Sequence, residues 1–210
     1  MAQTDTQRAL EIIREKIITT EMPPGSVILE TELINQLGFG RTPIREALKL
    51  LEAQRLVHVA PRRGMFVTTI NLGDLSDIQE IRSVLDVLCV RLASQRILPE
   101  ELAKLQDIVS EAKLVAASGD VERLLALDEC AHRTLAEAAH NPLLQSEMET
   151  LYDLSLRIWH FYLDQMRPED LAFDALEEVI DAIARRDSRK AERAMTEHIS
   201  HFGDTLKRRL

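Results

Sequence analysis

The stretch that most constrains this chain is Gly38-Phe39-Gly40-Arg41-Thr42-Pro43-Ile44-Arg45-Glu46-Ala47-Leu48. A glycine-broken turn runs straight into a helix whose apolar positions Ile44, Ala47, Leu48 and Leu51 fall on one stripe. Thr42 is placed to cap that helix. Pro43 suits its first position, because the missing N–H of proline would be unpaired there anyway. Arg41, Arg45 and Lys49 recur on another face. Cations near a helix N-terminus oppose the macrodipole, so two arginines there are poor choices for stability alone. They make sense if an anion meets them. A recognition helix presenting its N-terminal side chains to the base edges of DNA has this arrangement.

The flanks agree with that reading. Residues 6–18 have helical period, with Leu10, Ile13 and Ile17 on one face, and Pro23-Pro24-Gly25 ends them. Residues 30–37 form a short second helix with Leu33, Ile34 and Leu37 as contacts, stopped by Gly38. The third helix runs over 43–54. Then the period changes: Val57 and Val59 alternate, Pro61-Arg62-Arg63-Gly64 is a turn, and 66–69 are aromatic and β-branched. Helix, helix-turn-helix and a hairpin tipped by two arginines make a winged helix. The plainer alternative is a small helical module with a charged, solvated face. Against it, the two basic features arise from separate elements that a winged helix brings to one side.

A net charge of −9 at first argues against nucleic acid. The regional split reverses that: 1–70 carry +1 and the remainder −10, while 41–63 hold six basic and two acidic residues. This fits a DNA-reading head on an acidic body. Cys89 and Cys130 sit in apolar helical patterns and read as buried free thiols in a reducing cytosol. No signal peptide opens the chain, and no apolar run approaches the ~18–20 residues that span a bilayer. A soluble, cytoplasmic protein with no membrane partner is expected.

With 210 residues, 45% of them apolar, the chain has room for two domains. The expected division is a winged helix-turn-helix at 1–70, a linker at 71–74 and a helical body at 75–210. Body helices are predicted over 75–97, 99–117, 120–139, 142–165, 169–186 and 187–209. Pro99, Gly119, Asn141-Pro142, Pro168 and Asp187-Ser188 mark their breaks. The body has no strand pattern and no glycine-rich phosphate loop. The expected fold is therefore mainly α, an N-terminal winged helix-turn-helix followed by an antiparallel all-α bundle.

Some inward stripes of the body carry polar residues. Leu125, Asp128, Ala131, His132 and Leu135 share a face, and the four-residue spacing makes Asp128 and His132 converge. His198 lies with Ala191, Ala194 and Met195, and Arg82 with Ile78, Leu85 and Cys89. A cation, a carboxylate and two imidazoles are costly to bury without partners. Convergence on a metal and an anionic ligand would explain them. On spacing alone, an Asp and a His four apart on a helix, as Asp128 and His132 are, more often form a simple hydrogen-bonded pair.

The head closely resembles the DNA-binding domain of GntR-family bacterial transcriptional regulators. The residues that carry this are Pro24-Gly25, Leu33, Leu37-Gly38, Arg41 through Leu48, Leu51, Leu56-Val57, Arg63-Gly64 and Val67. The resemblance implies that Arg41 and Arg45 read bases, that Thr42 and Pro43 approach the DNA backbone, and that Arg63 and Gly64 at the wing tip enter the minor groove. Lys49 and Arg62 join these as candidate DNA contacts on charge and position. Thr31 stands where many members carry an arginine, Gly40 where a serine or threonine is common, and Arg55 where glycine is usual. Arg55 is strained if its backbone needs positive φ.

Three stretches of the body resemble the all-helical effector domain, the FCD domain, of the FadR subfamily: Ile81-Arg82 with Leu85-Asp86; Asp128, His132 and Leu135 with Asn141-Pro142-Leu143; and Ala182-Ile183, Asp187, Ala191 and His198-Ile199. Many such domains hold a divalent metal through an Asp and three His, with a small carboxylate completing the shell. By resemblance, Asp128, His132 and His198 are ligands of a divalent ion such as Zn, Ni or Mn, and Arg82 meets the effector. The third His should lie near position 176, where this chain has Leu176; His201 and His160 are possible substitutes.

The expected function is that of a metabolite-responsive transcriptional regulator, a repressor by resemblance. It would bind a palindromic double-stranded operator as a homodimer, since one head reads only a half-site. A small organic acid would be the effector. The alternative from another class is a metal-dependent helical-bundle hydrolase. Such enzymes usually display a His-Asp dipeptide among their ligands, and none occurs here. A third reading is a helical interaction protein with no ligand.

Overall fold

The computed structural model describes residues 3–171 and 173–209, with the side chains of 72, 202 and 206–209 outside the description. The chain is mainly helical and divides into two compact units, Met1–Asn71 with Leu156–Phe161, and Leu72–Ser155 with Tyr162–Leu210.

The head begins with α1 (Asp5–Ile18), opened by a reciprocal cap: Thr4 Oγ1 accepts from Gln7 N–H at 3.2 Å and Gln7 Oε1 accepts from Thr4 N–H at 3.0 Å. After β1 (Val27–Ile28) come α2 (Glu30–Leu37) and α3 (Arg41–Ala53). Gly38 closes α2 at φ 72°, a left-handed turn that favours glycine. Both α1 and α2 pack on α3, burying Ala9, Ile13, Ile17, Ile44, Leu48 and Leu51. The wing is β2 (Val57–Ala60) and β3 (Gly64–Val67), paired antiparallel with Val57 opposite Val67 and Ala60 opposite Gly64.

Two details differ from the sequence reading. The sheet has a third strand, β1, which pairs with β3 through Val27–Phe66 and Ile28–Met65. Two residues are too few to show alternation. Also, α3 starts at Arg41 with Gly40 as its cap residue, so Thr42 is not the cap and Pro43 is the third helical residue. Proline is tolerated there because the first-turn N–H groups have no intrahelical acceptor.

The body comprises α4 (Leu72–Arg96), α5 (Pro99–Ser118), α6 (Val121–Ala138), α7 (Pro142–Phe161), α8 (Phe173–Ala184) and α9 (Ser188–Arg209). Helix α4 starts inside the stretch expected as linker. Pro99 sits in the first turn of α5, Gly119 ends it at φ 78°, and the Asp120 carboxylate caps α6 by accepting from Arg123 N–H at 2.9 Å. The helix expected over 142–165 stops at Phe161. Short 3-10 turns at Leu163–Gln165 and Pro168–Leu171 follow it, so α8 starts later than expected. Asp170 stabilises the second turn by accepting from Arg167 N–H at 2.8 Å. Helix α4 packs against α6, α8 and α9, and α5 against α6 and α8. Cys89, Ala136, Leu144, Met148 and Tyr152 form one apolar cluster of this core.

Candidate functional site

In the body, α4, α6, α7 and α9 bring six polar side chains together. Asp128, His132 and His198 each offer one ligand atom, and these atoms lie within 4.8 Å of one another. His132 Nε2 is 3.0 Å from His198 Nε2 and 3.7 Å from Asp128 Oδ2, while His198 Nε2 is 3.5 Å from Asp128 Oδ1. Behind them, Asp86 organises the site. Its Oδ1 accepts from Tyr152 O–H at 2.8 Å and faces His132 Nδ1 at 3.2 Å, and its Oδ2 accepts from Arg82 Nε–H at 2.8 Å. The Arg82 guanidinium also lies over the Tyr152 ring, 5.1 Å from its centre.

The electrostatics follow from this burial. Desolvation pushes the Asp86 carboxyl up, but the Arg82 charge and the His132 hydrogen bond outweigh it and hold Asp86 well below the usual carboxylate range. Burial works against the Arg82 cation, yet the Asp86 charge keeps its pKa raised. Burial and the Asp86 charge push Tyr152 well above the ordinary phenol value. They also push the Cys89 thiol up to about 12.

An ionised carboxylate only accepts, so the hydrogen bond from His132 to Asp86 places a proton on Nδ1. His132 Nε2 therefore faces His198 and Asp128 as a lone pair when the ring is neutral. Two imidazole nitrogens 3.0 Å apart need a proton or a cation between them. Asp128 Oδ1 is buried and accepts no hydrogen bond among the described residues. Metal–ligand bonds of about 2.0–2.2 Å put neighbouring ligands about 3.0–3.5 Å apart, close to the separations here. The donor set thus fits a divalent ion.

The structure brings Asp128, His132 and His198 together and sets Arg82 behind them through Asp86. Leu176 is buried in α8 and offers no donor atom, and neither His160 nor His201 joins the cluster among the described residues. Asp86 entered the sequence reading only within the stretch that carries the resemblance, with no role at the site, and Tyr152 did not enter it. The four-residue step from Arg82 to Asp86 on α4 was the available signal for the first; nothing in the sequence marks Tyr152.

In the head, Thr31, Arg41, Thr42, Arg45, Lys49, Arg62, Arg63 and Gly64 are exposed and Pro43 is half-buried. The first turn of α3 has no acidic residue and no side-chain cap, so its N-terminal N–H groups remain open to an anion. Arg41, Arg62 and Arg63 make no ion pair among the described residues. Arg45 Nε donates to Glu30 Oε2 at 2.8 Å, and Lys49 Nζ to Glu46 Oε1 at 2.8 Å. At the wing tip Arg63 N–H closes on Ala60 C=O at 3.0 Å, with Arg62 at φ 64° and Gly64 at φ 108°. Arg55, after α3, does adopt positive φ, 62°.

Comparison with known proteins places a family on each part of the chain. Residues 77–201 match the FCD domain, and residues 5–67 match the bacterial regulatory proteins of the gntR family. This chain belongs to the GntR-family transcriptional regulators that carry an FCD domain. It is 23% identical over 205 residues to the HTH-type transcriptional repressor RspR of Escherichia coli K12, covering 98% of this chain and 90% of that one. It is 35% identical over 137 residues to the Nta operon transcriptional regulator of Aminobacter aminovorans, covering 64% and 62%. The fold matches the solved structure of E. coli McbR/YncC with a TM-score of 0.86 at 21% identity over 99% of both chains. A putative GntR regulator from Rhodococcus sp. RHA1 follows at 0.77 and 21%, covering 96% of this chain and 97% of that one. No helix among the described residues is long and apolar enough to cross a membrane.

Proposed function

We propose that this chain is a metabolite-responsive repressor of the FadR type, acting in the cytoplasm as a homodimer on a palindromic operator. Arg41, Arg45, Lys49, Thr31, Thr42 and Pro43 would meet the major groove and its phosphates. Arg62, Arg63 and Gly64 would follow the adjacent backbone or minor groove. Dimerisation is inferred because two-fold symmetry lets two heads read a palindrome.

In the body, Asp128, His132 and His198 would hold a divalent ion such as Zn, Ni or Mn, and a small organic acid would complete its shell toward Arg82. When bound, the metal supplies a positive centre for the effector carboxylate. Asp86 does the positioning: it fixes the His132 tautomer and balances the Arg82 charge. With Leu176 in place of another donor, three protein ligands leave coordination positions open for water or effector. Regulation follows if the effector binds one arrangement of the two heads better than another.

The observation that carries this reading is the unbonded Asp128 Oδ1 set against two imidazole nitrogens, with Asp86 orienting His132. A hydrolase would have use for the same three ligands, but none for a basic winged head. The test is metal content per chain in protein purified without a polyhistidine tag, before and after His198→Ala. Stoichiometric metal that vanishes in the variant supports the site. Metal-free protein that still binds a carboxylate and still responds to it on DNA rejects the metal and leaves Arg82 as the anchor.

A further inference from the structure

We propose that Glu30 is a positioning residue for DNA recognition, tethering Arg45 so that its terminal amino groups present one fixed edge to a base pair. The inference rests on the reading that α3 meets DNA. Glu30 opens α2 and Arg45 lies in the first half of α3, fifteen residues on. Their contact joins Glu30 Oε2 to Arg45 Nε at 2.8 Å, and among the described residues Nη1 and Nη2 of Arg45 donate to nothing. With Nε committed, the two Nη groups remain as a parallel pair, the geometry that pairs with O6 and N7 of guanine.

Stability does not account for the contact. The Arg45 side chain is 55% exposed, and exposed ion pairs contribute little. A carboxylate in the first turn of α2 favours the helix dipole, but Glu32 already supplies one there. Placed beside a DNA-facing arginine, Glu30 also weakens general attraction to phosphate. Loss of affinity for any DNA combined with a fixed arginine is how a protein gains discrimination. An untethered arginine would spread over many rotamers and serve as a phosphate clamp on any sequence. Lys49 differs: its partner Glu46 is a neighbour on the same helix, and an ammonium has no planar edge to aim.

The test uses the full-length protein and a duplex selected by it from a randomised library. Affinities are measured for that duplex, for every single-base-pair change in it, and for random duplex, with wild type, Glu30→Gln, Arg45→Ala and the double variant. Arg45→Ala identifies the base pair it reads. The expected result is that Glu30→Gln loses discrimination at that same base pair by about 3- to 10-fold, binds random duplex as tightly as wild type or tighter, and adds nothing in the Arg45→Ala background. Unchanged thermal midpoints check that folding is intact. A Glu30→Gln profile equal to wild type overturns the tether alone, as does a uniform loss across all duplexes. Arg45→Ala with discrimination intact at every base pair overturns the tether together with the reading beneath it.

Discussion

Asp86→Asn is the sharpest perturbation of the body. The substitution keeps the shape but removes the charge that faces Arg82 Nε at 2.8 Å, where the two side chains are 1% and 6% exposed. Breaking a buried ion pair from one side costs about 3–5 kcal/mol, because it leaves the other charge desolvated. The Asp128 charge also favours the Arg82 cation, which sets the loss at the lower end, about 3 kcal/mol. For a chain of this size that lowers the midpoint by about 6–12 °C. The assay is urea unfolding of chelator-treated protein, so that lost metal binding does not mimic lost stability. Its pH dependence has a definite sign. The folded-state pKa of Asp86 is depressed, so its contribution is full above the unfolded carboxylate range of about 4. That contribution is lost as pH falls through the lower folded value. The gap between wild type and variant should therefore stay constant from neutral pH down to about 5 and narrow only in stronger acid. A loss under about 1 kcal/mol, or a gap that closes above pH 5, would refute the ion-pair reasoning.

Four further outcomes are expected. Arg45→Ala should lower specific DNA binding by about 1–3 kcal/mol while leaving non-specific binding nearly intact, measured by gel shift on selected and random duplex. Arg62→Ala with Arg63→Ala should weaken binding to all sequences and flatten the plot of log affinity against log salt by roughly one unit per lost phosphate contact; an unaltered slope rules out wing–phosphate contact. Arg55→Gly should stabilise the head by up to about 1 kcal/mol, because the left-handed backbone at φ 62° disfavours a side chain, and thermal unfolding reads it directly. Metal affinity, titrated across pH, should fall in acid because both imidazoles must be neutral to coordinate; a flat profile would count against His132 and His198 as ligands.

Much of the head could be read from local pattern. Turn residues, helical stripes and the change of period are all encoded within a few residues of one another, so α1, α2, α3 and the β2–β3 hairpin follow with small shifts. The start of α3 moved because a proline is permitted anywhere in a first turn, and Gly40 needs no side chain to act as the cap. In the body, helix breaks were legible where Pro99, Gly119 and Asn141-Pro142 stand. The stretch from Phe161 to Leu171 was not, because no break residue precedes Pro168 and its short turns are closed by backbone bonds that leave no sequence pattern, such as Gln165 N–H to Tyr162 C=O at 2.9 Å.

The site divides along the same line. Asp128 and His132 are one helical turn apart, so their convergence is a local fact that spacing alone carries. His198 entered through resemblance and through its place on an apolar stripe. What joins these residues into one network is Asp86, which gathers Arg82 from its own helix, His132 from α6 and Tyr152 from α7. Contacts across three helices have no spacing to read. The consequence is chemical as well as structural: Arg82, which looked like a bare cation awaiting an anionic effector, already gives Nε to a carboxylate. Under the proposed reading, an acid that entered here would meet a site whose charge Asp86 partly balances, so its binding would draw on the proposed metal as well as on Arg82.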